Sequence, residues 1–467
     1  ARGIPHPQPL SQRARGIPHP QPLSQEARGG FHSWGFALGA AAMVAFTPQF
    51  LFISSAVSND STIVALSALA LFLLVRALRQ TPTRRDALWI GAVCGLGALA
   101  KVSGLALLPL ALAVIAYANR KNARELFWQV ALAAVTCVLV AGWWYARNIV
   151  LYGELTGTAR MLEIFGARAN PLTLDQWRAQ LYEVFETFWV GFGWGNIRAP
   201  EWVYALWGLM LSAGVVGLLL ALWRRRTRWR ATLQNHAPLL VLAAWCAIVF
   251  VSLLRWMMST QAPHGRLLFP ALPALMPLLV VGWTQLAPPR AQFVATRLIP
   301  LAAFGLAVAA PFTLLAPAYA YPVQLSEADT ANIPARVDVR YGYALMLLGS
   351  RVTPHPLNPR GALQVDLYWR VLKPMDQDYS INLSALDDQY RVVGTRNSFP
   401  GHGTLPTRLM RAGQIFHDTY WLPLNAPVVK GSLQVSVFDR TTQQDLPAFD
   451  PAGNEITPLV NSFTLAP

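Results

Sequence analysis

The 467 residues are 54% hydrophobic and only 13% charged, with mean hydropathy +0.34, whereas soluble domains carry about 25% charged residues. That deficit excludes an ordinary soluble globular protein and places the chain among polytopic membrane proteins. The net charge of +15 would suit nucleic acid, but the arginines cluster between apolar runs, as cytoplasmic anchors do, so nucleic acid is set aside as a partner and the bilayer takes its place.

At the amino terminus "ARGIPHPQPLSQ" stands at 1–12 and again at 14–25. It is rich in proline and polar residues and has no core-forming periodicity, so residues 1–30 read as a disordered tandem repeat. It has no apolar h-region and is no signal peptide. The chain begins without Met, and the expectation is that a natural amino-terminal portion is missing or replaced.

Nine apolar runs follow, near 35–55, 61–76, 87–100, 102–118, 128–146, 202–223, 237–257, 267–286 and 298–316. They predict a membrane domain over 31–318. The third and fourth runs fall short of the about 20 residues that cross a bilayer, which predicts a tight hairpin that does not fully cross. The cysteines Cys94, Cys137 and Cys246 all lie inside these runs, without CxxC or zinc spacing. They read as buried thiols, and neither a metal site nor a cofactor is expected.

The connections alternate in charge. Residues 76–86 hold four Arg, 119–125 three basic residues, 224–230 five, and 287–297 Arg290 and Arg297. The positive-inside rule makes these cytoplasmic. The other connections then share the outer face: "SSAVSND" with Asn59 and Asp60, "AKVSG" with Lys101, "WWYARNIVLYGE" with Arg147 and Glu154, the long segment 150–200, and "QAPHGRLLFP" with His264 and Arg266. One carboxylate and three cations therefore converge on one membrane face, where charge is expensive and usually functional. In the long segment, Leu174, Trp177, Leu181 and Phe185 recur at near-helical spacing. They predict an amphipathic helix on the membrane surface, either roofing a site or simply packing.

After about 320, period-two alternation replaces the apolar runs. "ALQVDLYWRVL" puts Leu363, Val365, Leu367 and Trp369 on one face, and roughly eight such strands separated by turn signals predict an extracytoplasmic β-sandwich over 319–467.

The segments "TPQFLFISSAVSNDSTIVALSALALFLLVRAL", "GAVCGLGALAKVSGLALLPLAL", "GWWYARNIVLYGELTG", "ETFWVGFGWGNIRAPEWVY" and "HGRLLFPALPAL" together resemble the GT-C superfamily of polyprenyl-phosphate-dependent glycosyltransferases. That superfamily includes the protein O-mannosyltransferases and aminoarabinose transferases. The resemblance covers about residues 35–316, and the tail resembles the β-sandwich often fused to bacterial members. It implies a multi-pass inner-membrane enzyme doing inverting glycosyl transfer on the outer face, with a polyprenyl-phosphate sugar as donor and an acceptor of unknown kind. Such chemistry needs a carboxylate to take the acceptor proton, here Asp60. It needs cations for the departing phosphate, here Lys101, Arg147 and Arg266. Asn59, Glu154, His264, Trp189 and Trp194 are possible substrate contacts. The departure from the family is that its usual catalytic acid lies in a first outer loop that has no counterpart here. Asp60 matches a second acidic position, so the resemblance implies either an inactive fragment of an active enzyme or an Asp60 that serves alone.

Each residue also has a plainer role. Asp60 can cap a helix beginning at Ser61 or Thr62, Lys101 can snorkel, Arg147 can anchor at the interface, and Arg266 can end a helix. A lipid-linked-sugar transporter or flippase, or a non-catalytic envelope protein with a carbohydrate- or partner-binding sandwich, are the alternatives to an enzyme.

Overall fold

A computed structural model of the protein describes residues 25–193, 195–224, 229–355, 358–425 and 428–465. The tandem repeat up to residue 24 lies outside the described residues. Its expected extent to residue 30 is corrected, because a helix already begins at Gln25.

The expected apolar runs are helical, and among the described residues six helical stretches are long and apolar enough to cross a membrane, or seven if one bent pair counts as a span. That pair is α1 (Gln25–Ala45) and α2 (Pro48–Ser54), which bend by 61° at their junction. The cause is Pro48: the residue before a proline is driven out of the helical region, and Thr47 is extended at φ −65°, ψ 114°. Next come α3 (Asn59–Arg79), α4 (Arg84–Ala100), a 3₁₀ turn (Val102–Ala106), α5 (Leu107–Ala118) and α6 (Ala123–Tyr152). The 17 residues of α4 span about 25 Å at the helical rise, short of the about 30 Å hydrocarbon core. The expected short hairpin is therefore present, turning at the extended Lys101.

On the far side of α6 come α7 (Thr158–Phe165), α8 (Leu174–Trp189), a two-residue hairpin of β1 (Gly191–Phe192) and β2 (Ile197–Arg198), then α9 (Glu201–Arg224) and α10 (Trp229–Ser259). A 3₁₀ segment (Gly265–Ala271) leads into α11 (Leu272–Leu286), and α12 (Ile299–Ala310) completes the bundle. Glycine sets the closest helix contact: Gly214 and Gly217 of α9 meet Gly282 of α11 backbone to backbone, as small residues permit within membranes.

Polar contacts sort the connections onto two ends. At one end Arg76 pairs with Asp86 and Arg84 with Glu125, and Gln129 donates to the Pro82 carbonyl, so the first two arginine-rich connections meet. Of the third, residues 225–228 lie outside the described residues. At the other end Asp60 meets Lys101, Gln49 bonds to Gly191, Arg168 reaches the Met257 and Thr260 carbonyls, and the Gly265 N–H donates to Thr187. Two of the four arginine-rich connections thus meet at one end, and the stretches holding Asp60, Lys101 and Gly265 lie at the other.

Residues 323–464 carry the strands β3 (Val323–Leu325), β4 (Arg336–Tyr341), β5 (Leu345–His355), β6 (Asn358–Val371), β7 (Tyr379–Asp387), β8 (Val392–Ser398), β9 (Ile415–Pro423), β10 (Lys430–Asp439), β11 (Gln444–Asp445), β12 (Ala448–Phe449) and β13 (Leu459–Thr464). They form two antiparallel sheets, one ordered β12-β4-β5-β6-β9-β3, the other β11-β10-β7-β8 with β13 also on β10. Leu363, Val365, Leu367 and Trp369 all face inward, as their alternation requires, and share one hydrophobic cluster with Ile381, Leu383, Val435 and Val437 of the other sheet. The strands beyond the expected eight include β3, β11 and β12, each of two or three residues, too short to show an alternation. This region sits outside the helical bundle, so the protein is a multi-span membrane protein of inner-membrane type with a carboxy-terminal domain beside it.

Candidate functional site

The centre of the outer-end cluster is a buried ion pair. Ser58 caps α3, accepting the Asp60 N–H at 3.1 Å. Asp60 therefore stands in the first helical turn and is not itself the cap; there its charge complements the helix dipole. It is buried, and Lys101 Nζ lies 2.5 Å from its Oδ1. Lys101 reaches it because residue 101 leaves α4 in an extended conformation. Asn59 closes the same junction by donating to the Ala100 carbonyl at 3.0 Å. Ser58 Oγ is 3.3 Å from the second carboxylate oxygen, so the acid is held by one cation and one weak hydroxyl contact.

The other two cations share this end but not this contact. Tyr145 of α6 donates to the Ala98 carbonyl at 2.7 Å, which docks the end of α6 beside the 101 turn. Arg147, two residues on, folds back over the Trp144 ring at 4.9 Å and touches Asn148 Oδ1 at 3.5 Å. Arg266 is exposed on the 3₁₀ segment that packs against α3. Neither forms an ion pair with Asp60 among the described residues. His264, half-buried before that segment, has its pKa lowered by burial and then by Arg266 and Arg198.

The remaining candidates have local roles. Glu154 caps α7 by accepting the N–H groups of Ala159 and Arg160 at 2.7 and 3.2 Å. Trp189 is buried and stacked on Trp207 at 4.0 Å, so that face of its ring is closed to a sugar. Trp194 lies outside the described residues. The expected amphipathic helix is α8, opened by a capping box between Thr173 and Gln176. Its Trp177 and Leu181 pack with Leu253 and Met257 of α10, which is the packing role.

One group was missed. Arg198 pairs with Glu186 at 2.7 Å and approaches Glu183 at 3.8 Å, and burial raises the Glu186 pKa against the pull of Arg198. The signal was present in "ETFWVGFGWGNIRAPEWVY" only as an acid and a base twelve residues apart, with nothing to show that a hairpin brings them together. Among the described residues no group of three or more His, Cys, Asp or Glu is placed to hold a metal ion.

Residues 33–275, more than half of the chain, match the family described as "Predicted membrane protein (DUF2142)". The chain belongs to the DUF2142 family. All nine candidate residues, from Asn59 to Arg266, fall inside the DUF2142 match, while the two-sheet region lies beyond it. No curated protein matches the chain. Among solved structures it is similar to the putative ApaA protein from Bordetella pertussis, at 17% identity over 28% of this chain and 94% of that one, with a TM-score of 0.16.

Proposed function

We propose that this DUF2142 chain is a GT-C-type membrane glycosyltransferase, moving a sugar from a polyprenyl-phosphate donor to an acceptor at the outer face, with its carboxy-terminal region as a β-sandwich beside the site. The observation that carries the reading is the buried Asp60–Lys101 pair at the end of the bundle opposite the arginine-rich connections. An isolated buried carboxylate is costly, and this one has a single ion-pair partner among the described residues, Lys101. A donor phosphate arriving at the turn competes for the Lys101 ammonium. As Lys101 swings to the phosphate, Asp60 is left to accept the proton of the acceptor hydroxyl. That oxygen bonds to the anomeric carbon, the carbon–oxygen bond to phosphate breaks, and its electron pair goes to the phosphate. Lys101 stabilises the departing charge. Arg147 and Arg266, which share this end of the bundle, join it once Arg147 leaves the Trp144 ring. The test is transfer of radiolabelled sugar in membranes from several polyprenyl-phosphate donors, paired with donor binding. Arg147→Ala and Arg266→Ala are each expected to weaken lipid-phosphate binding about tenfold, the worth of one charge-assisted contact. Unchanged affinity in both would remove them from the site, and Asp60→Asn with full transfer would overturn the reading.

A further inference from the structure

Where the helical bundle meets the two-sheet region there is a cleft of about 1050 Å³, at the upper end of the size range of small-molecule sites. One wall is the β1–β2 hairpin and the end of the last apolar helix. The other is built largely by β8 and β9. No residue of the Asp60 cluster lines it.

Among the described residues, the two arginines of the sheet-side wall form no ion pair. Arg396 donates to the Trp421 carbonyl at 2.5 Å and lies 3.1 Å from His402 Nδ1. His402 Nε2 lies 3.1 Å from the Thr419 carbonyl, which takes only a donor, so Nδ1 is the acceptor for Arg396 and the ring is neutral. Asp418, buried behind this wall, directs its carboxylate to Tyr420 Oη at 2.5 Å and the Gly401 N–H at 2.7 Å. Among the described residues no carboxylate lies within ion-pairing distance of Arg396. Arg440 sits over the Phe399 ring at 5.8 Å, likewise without an ion pair among them. His355 and Trp421, which line the same wall, stack at 4.7 Å and 21°, and Gln364 and Asn397 also line the space.

We propose that this cleft binds an acidic saccharide, a sugar carrying a carboxylate or phosphate. A half-buried guanidinium with spare N–H donors and no ion-pair partner is a receptor for a planar or tetrahedral oxyanion. The aromatic pair offers a flat apolar surface to a sugar ring, and the amides pair with its hydroxyls. A phospholipid phosphate would use the arginines and leave the aromatic and amide wall without purpose. The inference stands apart from glycosyl transfer at Asp60, since no residue is shared.

The test uses the whole chain in phosphatidylcholine nanodiscs, with tetragalacturonate and glucose 1-phosphate as acidic probes and maltotetraose as the neutral one, titrated calorimetrically. At least one acidic probe is expected to bind tenfold or more tighter than maltotetraose, and Arg440→Gln to weaken it about tenfold. Arg411→Gln, away from the cleft, is expected to change nothing. Arg396→Gln should weaken binding further, but it removes two internal hydrogen bonds, so exposed Arg440 is the deciding position. Failure of both acidic probes, equal binding of the neutral one, or an unaltered affinity in Arg440→Gln would overturn the proposal. Displacement of the bound sugar on moving to phosphatidylglycerol nanodiscs would overturn it in favour of a lipid phosphate. Sugar transfer by the Asp60 cluster is read separately and is untouched by any of these outcomes.

Discussion

Lys101 Nζ and Asp60 Oδ1 are 2.5 Å apart, and this contact ties the first turn of α3 to the residue that ends α4. Both side chains are largely out of solvent, with 3% of the carboxylate and 16% of the ammonium side chain exposed. Removing one partner of such a pair strands the other charge, at a cost of about 3–5 kcal/mol, whereas replacing both by neutral groups is far milder. Asp60→Asn alone is therefore expected to lower stability in detergent by about that amount. The Asp60→Asn, Lys101→Met double variant should recover most of it. Sugar transfer should be absent from both variants, which separates the structural part of the pair from the chemical part. Additive losses in a denaturant-unfolding cycle would show that the two side chains do not interact.

Helix α9 lies against α11 because neither presents a side chain at the crossing. A Cβ on Gly217 would fall 1.9 Å from the Gly282 carbonyl oxygen, and one on Gly282 would fall 1.9 Å from that of Gly214. Both obstacles are backbone, so the helices must separate. Gly217→Ala and Gly282→Ala are each expected to cost about 1–3 kcal/mol, the range for overpacking, and to lower the thermal midpoint of the purified protein. Gly305→Ala is the control, since nothing lies within 4 Å of its added methyl. Its midpoint should not fall.

Asp366 stands on the outward side of β6 yet is almost wholly covered. Burial pushes its pKa up, but hydrogen bonds from His417, Thr419 and Arg351 outweigh that and hold it at about 2. A carboxyl depressed in the fold contributes stability that is complete above its unfolded value and lost as pH falls through the folded one. The window is therefore about pH 4 down to about 2, worth roughly 2 kcal/mol. Asp366→Asn should flatten the acid limb of the stability curve over that interval, followed by tryptophan fluorescence. An unchanged limb would mean that other carboxylates set it.

The helices, the two ends of the bundle and the inward faces of the long strands were legible because each rests on a period or a charge count. Arg76 and Arg84 announced that their connections share one end of the bundle, and Leu363 to Trp369 announced their sheet. The number of spans was not legible. Apolar composition does not say that Pro48 breaks the run 35–55 into the bent pair α1 and α2, although the break at Lys101 that keeps α4 short was read from the short runs on either side of it. In the candidate site, Asp60 and Lys101 were legible as unusual charges at one membrane face, and their meeting follows from the hairpin between them. Arg147 was legible as a cation but not in its direction, which is set by the face of Trp144. Trp189 looked like a sugar platform because a glycine-punctuated loop follows it, and only the stack with Trp207 shows that one ring face is taken. Arg198 with Glu186, and Arg396 with His402, join chain segments through tertiary packing, and no local pattern encodes that.

His402 supplies a second pH window, distinct from that of Asp366. Burial, then the neighbouring Arg396, lowers its pKa to about 4 against the pull of the Thr419 carbonyl. Ser398 Oγ and the rings of Tyr420 and Tyr319 are its other neighbours, and none brings a negative charge. The unfolded chain, with an ordinary histidine, takes up a proton near pH 6.5 while the folded ring remains neutral. Stability is therefore complete above about pH 6.5 and is lost as pH falls toward about 4. His355, also lowered by burial, acts in the same direction, so the comparison must be between wild type and His402→Asn. The variant is expected to start less stable at pH 7.5, having lost the bridge from Arg396 to the Thr419 carbonyl, but to fall less steeply between pH 6.5 and 4. Parallel thermal-midpoint curves for the two proteins across that interval would show that His402 is not held neutral by its neighbours.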